Sequence, residues 1–479
     1  MHKYSRQIVV IGAGAGGLYL TRILARLGYR VTMVDKANML GGNCLHYSCV
    51  PSKAFIYCAQ MAFNARNSTK YGVTCDPQIS FAQIQAYIRN VVNQIHKNDN
   101  VAQFKAHGVD VIYGNAHFVG DHMLSVDDKL IPAEKFIIAT GSQPSIPTIT
   151  GLNKVKYYTT DNILTIKELP KRLVIIGAGH AAFEYAQAFG RLGTNVIVLE
   201  SQSEFMPEFD RAQVSLLQAS MADQNVVFYN KVNIDSVSQH DDETIIKVSS
   251  SLDKFPYNKN PISCDVLLIA AGRVGRVDNL GLELVGVEYN SNGIKVDDQL
   301  KTSSSHIFAI GDVIDTPYKL THTAEYHAGI IIDNLAFKKH RRANYQSVPY
   351  VMYTDPGFAQ VGLTEQAARA KKISFKTIEY PISKLDRAII NDQLDGNIKL
   401  LVKNGRILGA SILSPHADEL IHELVLVIKN KISLRKIKET IHAYPTWSQM
   451  HKRVIDKYYE PKMYGSMSKF YIKFRQWFE

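Results

Sequence analysis

The chain of 479 residues is poor in cysteine, with five in all. So sparse a set does not make a disulfide framework. A few thiols with one close pair suit a reducing compartment and redox or metal chemistry. Long hydrophobic runs are also missing: none approaches the roughly 18 residues a membrane-crossing helix needs. Nor is there an acidic excess. Lys and Arg number 55 against 44 Asp and Glu, a formal net charge of +11. A basic surface attracts anionic cofactors, membranes or nucleic acid. Part of this excess is local, in "KKHRR" at 338–342 and in the C-terminal tail. No nucleic-acid-binding motif accompanies it, so no nucleic-acid partner is expected. The apolar fraction of 46% and charged fraction of 21% are those of a globular protein. The length predicts two to four domains.

The opening "MHKYSRQIVVIGAGAGGLYL" has a basic front and an apolar stretch, as a signal peptide does. Its apolar part carries a phosphate-loop pattern, however, and no cleavage site is evident. It reads as a first β-strand, and the protein as cytoplasmic.

"QIVVIGAGAGGLYLTRILARLGYRVTMVDK" runs strand, glycine loop, helix, strand. Gly12, Gly14 and Gly17 form G-x-G-x-x-G: a tight turn, a close approach to a pyrophosphate, and close helix–strand packing. The pyrophosphate would lie at the helix N-terminus, against free N–H groups. Asp35 ends the second strand, where it can accept hydrogen bonds from a ribose. The pattern returns in "RLVIIGAGHAAFEYAQAFGRLGTNVIVLE", with Gly177 and Gly179, and with Ala182 in the third position. Asp35 follows Gly12 by 23 residues, and Glu200 follows Gly177 by 23. Two such units predict electron transfer between two dinucleotides. Glu200 favours a free 2′-hydroxyl and repels a 2′-phosphate, and "SQSEF" after it holds no arginine. NADH is therefore expected over NADPH.

Cys44 and Cys49 lie just beyond the first unit, in "GGNCLHYSCVPSK". The spacing is not C-x-x-C, and no second pair completes a zinc site, so no resident metal is expected. On one helix, positions five apart project only loosely together, so a bridge is demanding. Spacing alone leaves a redox-active disulfide and two buried thiols both open.

The segment resembles the active-site motif of the class I pyridine nucleotide–disulfide oxidoreductases, which include dihydrolipoamide dehydrogenase, glutathione reductase and mercuric reductase. The likeness continues through "IIATGSQP" at 137–144, "HIFAIGDV" at 306–313, "LTHTAEYHAG" and "YTDPGFAQVGLTE" at 353–365. It implies an α/β fold with two Rossmann-like domains and an α+β interface domain. The FAD domain would span 1–147 and 272–342, the NAD domain 148–271, and the dimerisation domain 343–479. It also implies a homodimer whose sites are each built from two subunits. Gly12, Gly14, Gly17, Asp35, Gly42, Gly141, Asp312 and Ala324 would hold FAD. Gly177, Gly179, Glu200 and Gly272 would hold NADH. Cys49 would face the flavin and Cys44 the substrate. Lys53 would stand near flavin N5, with Glu184 as its carboxylate partner. His180 stands where relatives gate the nicotinamide pocket. Cys58, Cys75 and Cys264 have no motif context and read as packing residues or free thiols.

The chain departs from this pattern near its end. The disulfide-reducing members read H-x-H-P-T-x-x-E, with the second histidine as acid/base and the glutamate orienting it. Here the stretch is His442, Ala443, Tyr444, Pro445, Thr446, Trp447, Ser448, Gln449. A phenol with a pKa near 10 is a poor base at pH 7, and His442 reads as structural. Tyrosine here is similar to mercuric reductase and its relatives, as are "DRAIINDQLDGNIKLLV" and "ILGASILSPHADELI". A thiolate-bound metal ion such as Hg(II) or Cu(II) can take electrons without a proton reaching a leaving sulfur. The tail "YGSMSKFYIKFRQWFE" lacks the cysteine pair that mercuric reductases carry. His46, between the two cysteines, could tune Cys44, join them as a transient metal ligand, or replace the base. In the tail, "KFYIKFRQWF" alternates basic and aromatic residues, which suggests peripheral membrane contact. Two rivals remain: a dihydrolipoamide dehydrogenase with a relocated base, and a slow redox-sensing or metal-binding module.

Overall fold

A computed structural model describes residues 6–252, 255–258 and 260–478. Its strands and helices form two compact units. The first holds Met1–Gly177, Arg191–Leu199 and Asn233–Asn344, and the second Ala178–Gly190, Glu200–Val232 and Tyr345–Glu479. The expected domain at 148–271 is shared between them. Strands Tyr158–Thr159, Arg172–Ile176, Asn195–Leu199 and Val266–Ile269 fall in the first unit, and strand Val226–Tyr229 and most of the helix His180–Arg191 in the second.

The first unit is organised by the strand Arg6–Ile11, whose β-branched Ile8, Val9, Val10 and Ile11 are buried on both faces. It pairs in parallel with Val31–Asp35 on one side and Lys129–Ile138 on the other. Asp110–Tyr113 extends one edge, and Ile307–Ala309 pairs in parallel with Lys129–Ile138. The strands meet helix Ala15–Arg26, which buries Leu18, Leu20, Leu24 and Ala25. This helix packs on helix Thr321–Phe337. A second parallel set runs Asn195–Leu199, Arg172–Ile176, Val266–Ile269, Tyr158–Thr159.

The second unit centres on five antiparallel strands. Their order is Pro349–Met352, Gly357–Gly362, Arg406–Ser414, Asn397–Lys403, Lys376–Pro381. Helices Ala417–Lys429 and Gln449–Met463 contribute Ile421, Leu424, Met450, Val454 and Ile455 to the core over this sheet. Within that core the Lys399 ammonium meets the Asp210 carboxylate at 3.0 Å, and both side chains are almost fully buried. A buried charge of this kind needs its partner. No described helix is long and apolar enough to cross a membrane.

Candidate active site

The first glycine loop leaves the end of strand Arg6–Ile11. Gly12 has φ +111°, a conformation that L side chains rarely adopt, and a Cβ there would overlap the Ala139 carbonyl. A Cβ on Gly17 would overlap the Gly12 carbonyl oxygen, so helix and loop touch through backbone alone. A Cβ on Gly14 would meet nothing within 4 Å. That open space, in front of the N-terminus of helix Ala15–Arg26, fits a diphosphate. The Asp35 carboxylate accepts from Ala13 N–H at 2.6 Å and Ala37 N–H at 2.8 Å, which fixes it at the rim of the loop. Gly42 folds against Gly14, so close that a Cβ would lie 2.7 Å from the Gly14 Cα.

The second loop repeats these contacts. Gly177 has φ +95°, and a Cβ there would come within 2.6 Å of the Ala270 carbonyl oxygen. Gly179 again has open space before it. The Glu200 carboxylate accepts from Ala178 N–H at 2.9 Å and Gln202 N–H at 3.0 Å. Ala182 is fully buried. Gly272 has φ +97° and its carbonyl accepts from Ser145 N–H at 2.9 Å; Gly141 likewise accepts from Arg276 N–H. His180 opens the helix His180–Arg191.

The cysteines do not share one helix. Cys44 belongs to the short helix Gly42–His46, and Cys49 is the first residue of helix Cys49–Arg66. The break at Tyr47 and Ser48 removes the projection problem that a continuous helix would pose. The two side chains are not bridged in this structure and act on each other. This interaction holds the Cys49 thiol well below its usual range and pushes Cys44 up. Burial opposes the thiolate on Cys49, while the Thr321 hydroxyl, 3.2 Å from its sulfur, and the Lys53 charge favour it. The pair therefore holds one proton on Cys44 and a thiolate on Cys49. The helix start at Cys49 adds to this preference.

His46 makes contacts of its own. Its Nε2 lies 2.7 Å from the Leu40 carbonyl, and its ring meets His96 edge-on. A cavity of about 580 Å³ opens beside this segment, lined in part by His46, Tyr47, Pro51, Gln85, Arg89 and Asp161.

Asp312 lies in a single helical turn after strand Ile307–Ala309, deep in the first unit. Burial pushes its carboxyl up, against the Ser142 hydrogen bond of 2.9 Å and the charges of Arg273 and Lys319. Arg273 ties this region together. It donates to the Ser142 hydroxyl and carbonyl, and to Asp161 at 2.6 Å. The motifs flagged neither Arg273 nor Thr321 individually. Ala324 stands within 3.2 Å of where a Gly16 Cβ would be, so the two helices meet closely. His327, one turn on, is fully buried, and its Nδ1 accepts from Gly311 N–H at 3.1 Å. Burial lowers it to about 4, so the ring is neutral.

In the second unit Glu184 is buried, and its carboxylate accepts from Tyr353 N–H at 2.9 Å. Tyr444 is 65% exposed. The Asp386 carboxylate beside it raises its pKa further and makes it a still poorer base. Gln449 starts helix Gln449–Met463. His442 is occupied by Glu423 at 3.2 Å, and the same carboxylate accepts from His451 at 2.7 Å. Burial pushes Glu423 up, but the two histidines outweigh it and hold it low. Of the remaining cysteines, Cys264 is fully buried and pushed up to about 12, Cys58 is half-buried and Cys75 exposed.

Two dinucleotide loops and a dithiol with one activated sulfur define a two-cofactor redox enzyme. The chain belongs to the pyridine nucleotide–disulphide oxidoreductase family: its model matches residues 6–328, and the family's dimerisation domain matches residues 348–454. It is a flavoprotein disulfide oxidoreductase, and the family's cofactors are FAD and NAD(P)H. Dihydrolipoyl dehydrogenase of Bacillus subtilis (strain 168) is 32% identical over 452 residues, covering 92% of this chain and 94% of that protein. Mercuric reductase of Staphylococcus aureus is 29% identical over 446 residues, covering 92% and 80%. Among solved structures, a Cu(II) complex of the HOCl-induced flavoprotein disulfide reductase RclA from Escherichia coli matches at a TM-score of 0.85. It is 28% identical and covers 95% of this chain and all of that one.

Proposed function

We propose that this enzyme oxidises NADH and passes the electrons through the Cys44–Cys49 pair to a thiolate-bound metal ion, Cu(II) or Hg(II). The observation that carries this reading is at Tyr444. The group at the family's base position is an exposed phenol whose pKa the neighbouring Asp386 carboxylate raises, so it cannot take a proton near pH 7. An organic disulfide needs a proton for its leaving sulfur, and a metal ion does not. The similar RclA was solved as a Cu(II) complex, which supports the reading.

The glycine loop at Gly12, Gly14 and Gly17, with Asp35, Gly42, Gly141, Asp312 and Ala324, would bind FAD. Gly177, Gly179, Glu200 and Gly272 would bind NADH. Bound FAD supplies the two-electron link between nicotinamide and cysteines. The chain's own part is to hold Cys49 as thiolate, through Cys44, Thr321 and Lys53, and to keep the proton on Cys44. When the S–S bond closes, the thiol–thiolate pair gives up two electrons and the one proton held on Cys44. Two Cu(II) ions become Cu(I), or one Hg(II) becomes Hg(0). Lys53 and Glu184 keep the roles that the resemblance gives them. His46 braces the turn before Cys44 through Leu40 and leaves metal capture to the two sulfurs.

Glu200 supports NADH over NADPH, because a carboxylate in this position repels a 2′-phosphate. The working unit is proposed as a homodimer, with an FAD domain at 1–147 and 272–342, an NAD domain at 148–271 and an interface domain from 343. A peripheral membrane contact through the tail belongs to the same proposal. The rival with an observation behind it is a dihydrolipoyl dehydrogenase, at 32% identity to the Bacillus subtilis enzyme. An acceptor screen with FAD-loaded enzyme and NADH separates the two. Cu(II) or Hg(II) should outpace lipoamide, and brisk lipoamide turnover at neutral pH sinks the metal reading.

A further inference from the structure

The last helix, Ser466–Phe478, carries a face that the redox chemistry does not use. Met467, Phe470, Tyr471, Phe474 and Trp477 recur at i, i+3, i+4, i+7 and i+10. That spacing sets all five on one stripe of a helix. Their exposures are 85, 70, 61, 50 and 84%. Adjoining apolar side chains this exposed mark a docking surface. Lys473 follows one border of the stripe and Arg475 the other, Lys469 lies further round on the side of Lys473, and the helix holds no Asp or Glu. Ile472 falls on the opposite side.

We infer that this helix lies flat on an anionic lipid surface, with the five-residue stripe among the acyl chains and the three cations at the headgroups. Thirteen residues reach only about 20 Å, short of the roughly 30 Å of a hydrocarbon core, so the helix lies on the bilayer and does not span it. Phe, Tyr and Trp beside Lys and Arg are the side chains that suit the headgroup boundary. Charge selects lipid over a second copy of the helix. Both borders of the stripe are cationic, so a self-paired face would set like charge against like. The inference rests on the peripheral contact proposed above and is independent of the acceptor.

The test uses the full-length, FAD-loaded enzyme. It is sedimented with vesicles of phosphatidylcholine alone, and with vesicles of equal parts phosphatidylcholine and phosphatidylglycerol. The variants are Phe470→Ser with Phe474→Ser, and Lys469→Glu with Lys473→Glu and Arg475→Glu. Wild type should pellet with the anionic vesicles and remain in solution with the neutral ones. The charge variant should lose roughly 10² in partitioning, since each cation near such a surface is worth several-fold. The double serine variant should also stay in solution, and both should reduce their flavin with NADH at the wild-type rate. Trp477 provides a second readout, because the only other tryptophan, Trp447, is already buried. Its emission should shift to the blue on anionic vesicles in wild type alone. If wild type binds no vesicle, the peripheral contact itself fails. If it binds and neither variant weakens it, the contact stands and this helix is not the anchor. Self-association that the double serine variant abolishes, with no vesicle binding, assigns the face to a second copy and overturns the inference.

Discussion

The Thr321 hydroxyl lies 3.2 Å from the Cys49 sulfur, although 272 residues of chain separate them. A neutral donor at this distance stabilises a thiolate more than a thiol. It works with the Cys44 hydrogen bond and the Lys53 charge to keep Cys49 ionised.

The thiolate should therefore survive into mild acid. In NADH-reduced enzyme, the long-wavelength thiolate–flavin absorbance should persist as pH falls and fade through about pH 5. A hydrogen bond to a charged group is worth about 1.5–3 kcal/mol. Thr321→Val should thus raise that midpoint by about 1–2 units. An unmoved midpoint would show that Thr321 does not tune Cys49.

The position of Tyr444 beside Asp386 leads to a second expectation. Replacing Tyr444 with His places an imidazole where a carboxylate stands ready to orient it. Tyr444→His with Gln449→Glu should raise lipoamide turnover at pH 7, by up to about 10²-fold. Copper reduction should change little, and Cys44→Ser should abolish it while FAD stays bound. Steady-state kinetics with both acceptors provide the check.

Glu200 governs a third. Comparing kcat/KM for the two nucleotides should show NADH ahead, and Glu200→Ala should narrow the gap. The same change releases Ala178 N–H and Gln202 N–H from their carboxylate partner. The KM for NADH should accordingly rise. Equal efficiency with NADPH in wild type would refute the preference.

His327 makes stability depend on pH. Its folded pKa, about 4, lies below the usual 6.5 because burial disfavours the charged ring. The unfolded chain therefore binds a proton across this window that the folded chain refuses. Stability is unaffected above about pH 6.5 and is lost as pH falls towards 4. His327→Leu should flatten that part of the profile. It should also cost about 1–3 kcal/mol at neutral pH, because Gly311 N–H loses its acceptor. Thermal melts from pH 4 to 8 measure both effects.

Much of this was legible in the sequence because it is local. A glycine loop, a carboxylate 23 residues on and a cysteine segment are each written within a short stretch of chain. What escaped depends on tertiary contacts. Thr321 sits inside a flagged motif, yet nothing in "LTHTAEYHAG" says that its hydroxyl meets Cys49. Arg273 joins Ser142 to Asp161 across more than a hundred residues, and Asp386 acquires meaning only beside Tyr444. The relation of the cysteines was also misjudged locally. A helix break at Tyr47 and Ser48 carries no glycine or proline to announce it.

The two glycine loops differ in how far they could be redesigned. At Gly17 there is no room for a methyl group, because the Gly12 carbonyl already fills that space. The equivalent place in the second loop holds Ala182, fully buried and tolerated. The first loop is thus closed to retooling at its tightest point, while the second has already accepted a larger residue. On the assignment proposed above, a change of electron donor is to be sought around Ala182 and Glu200, with Gly17 left alone.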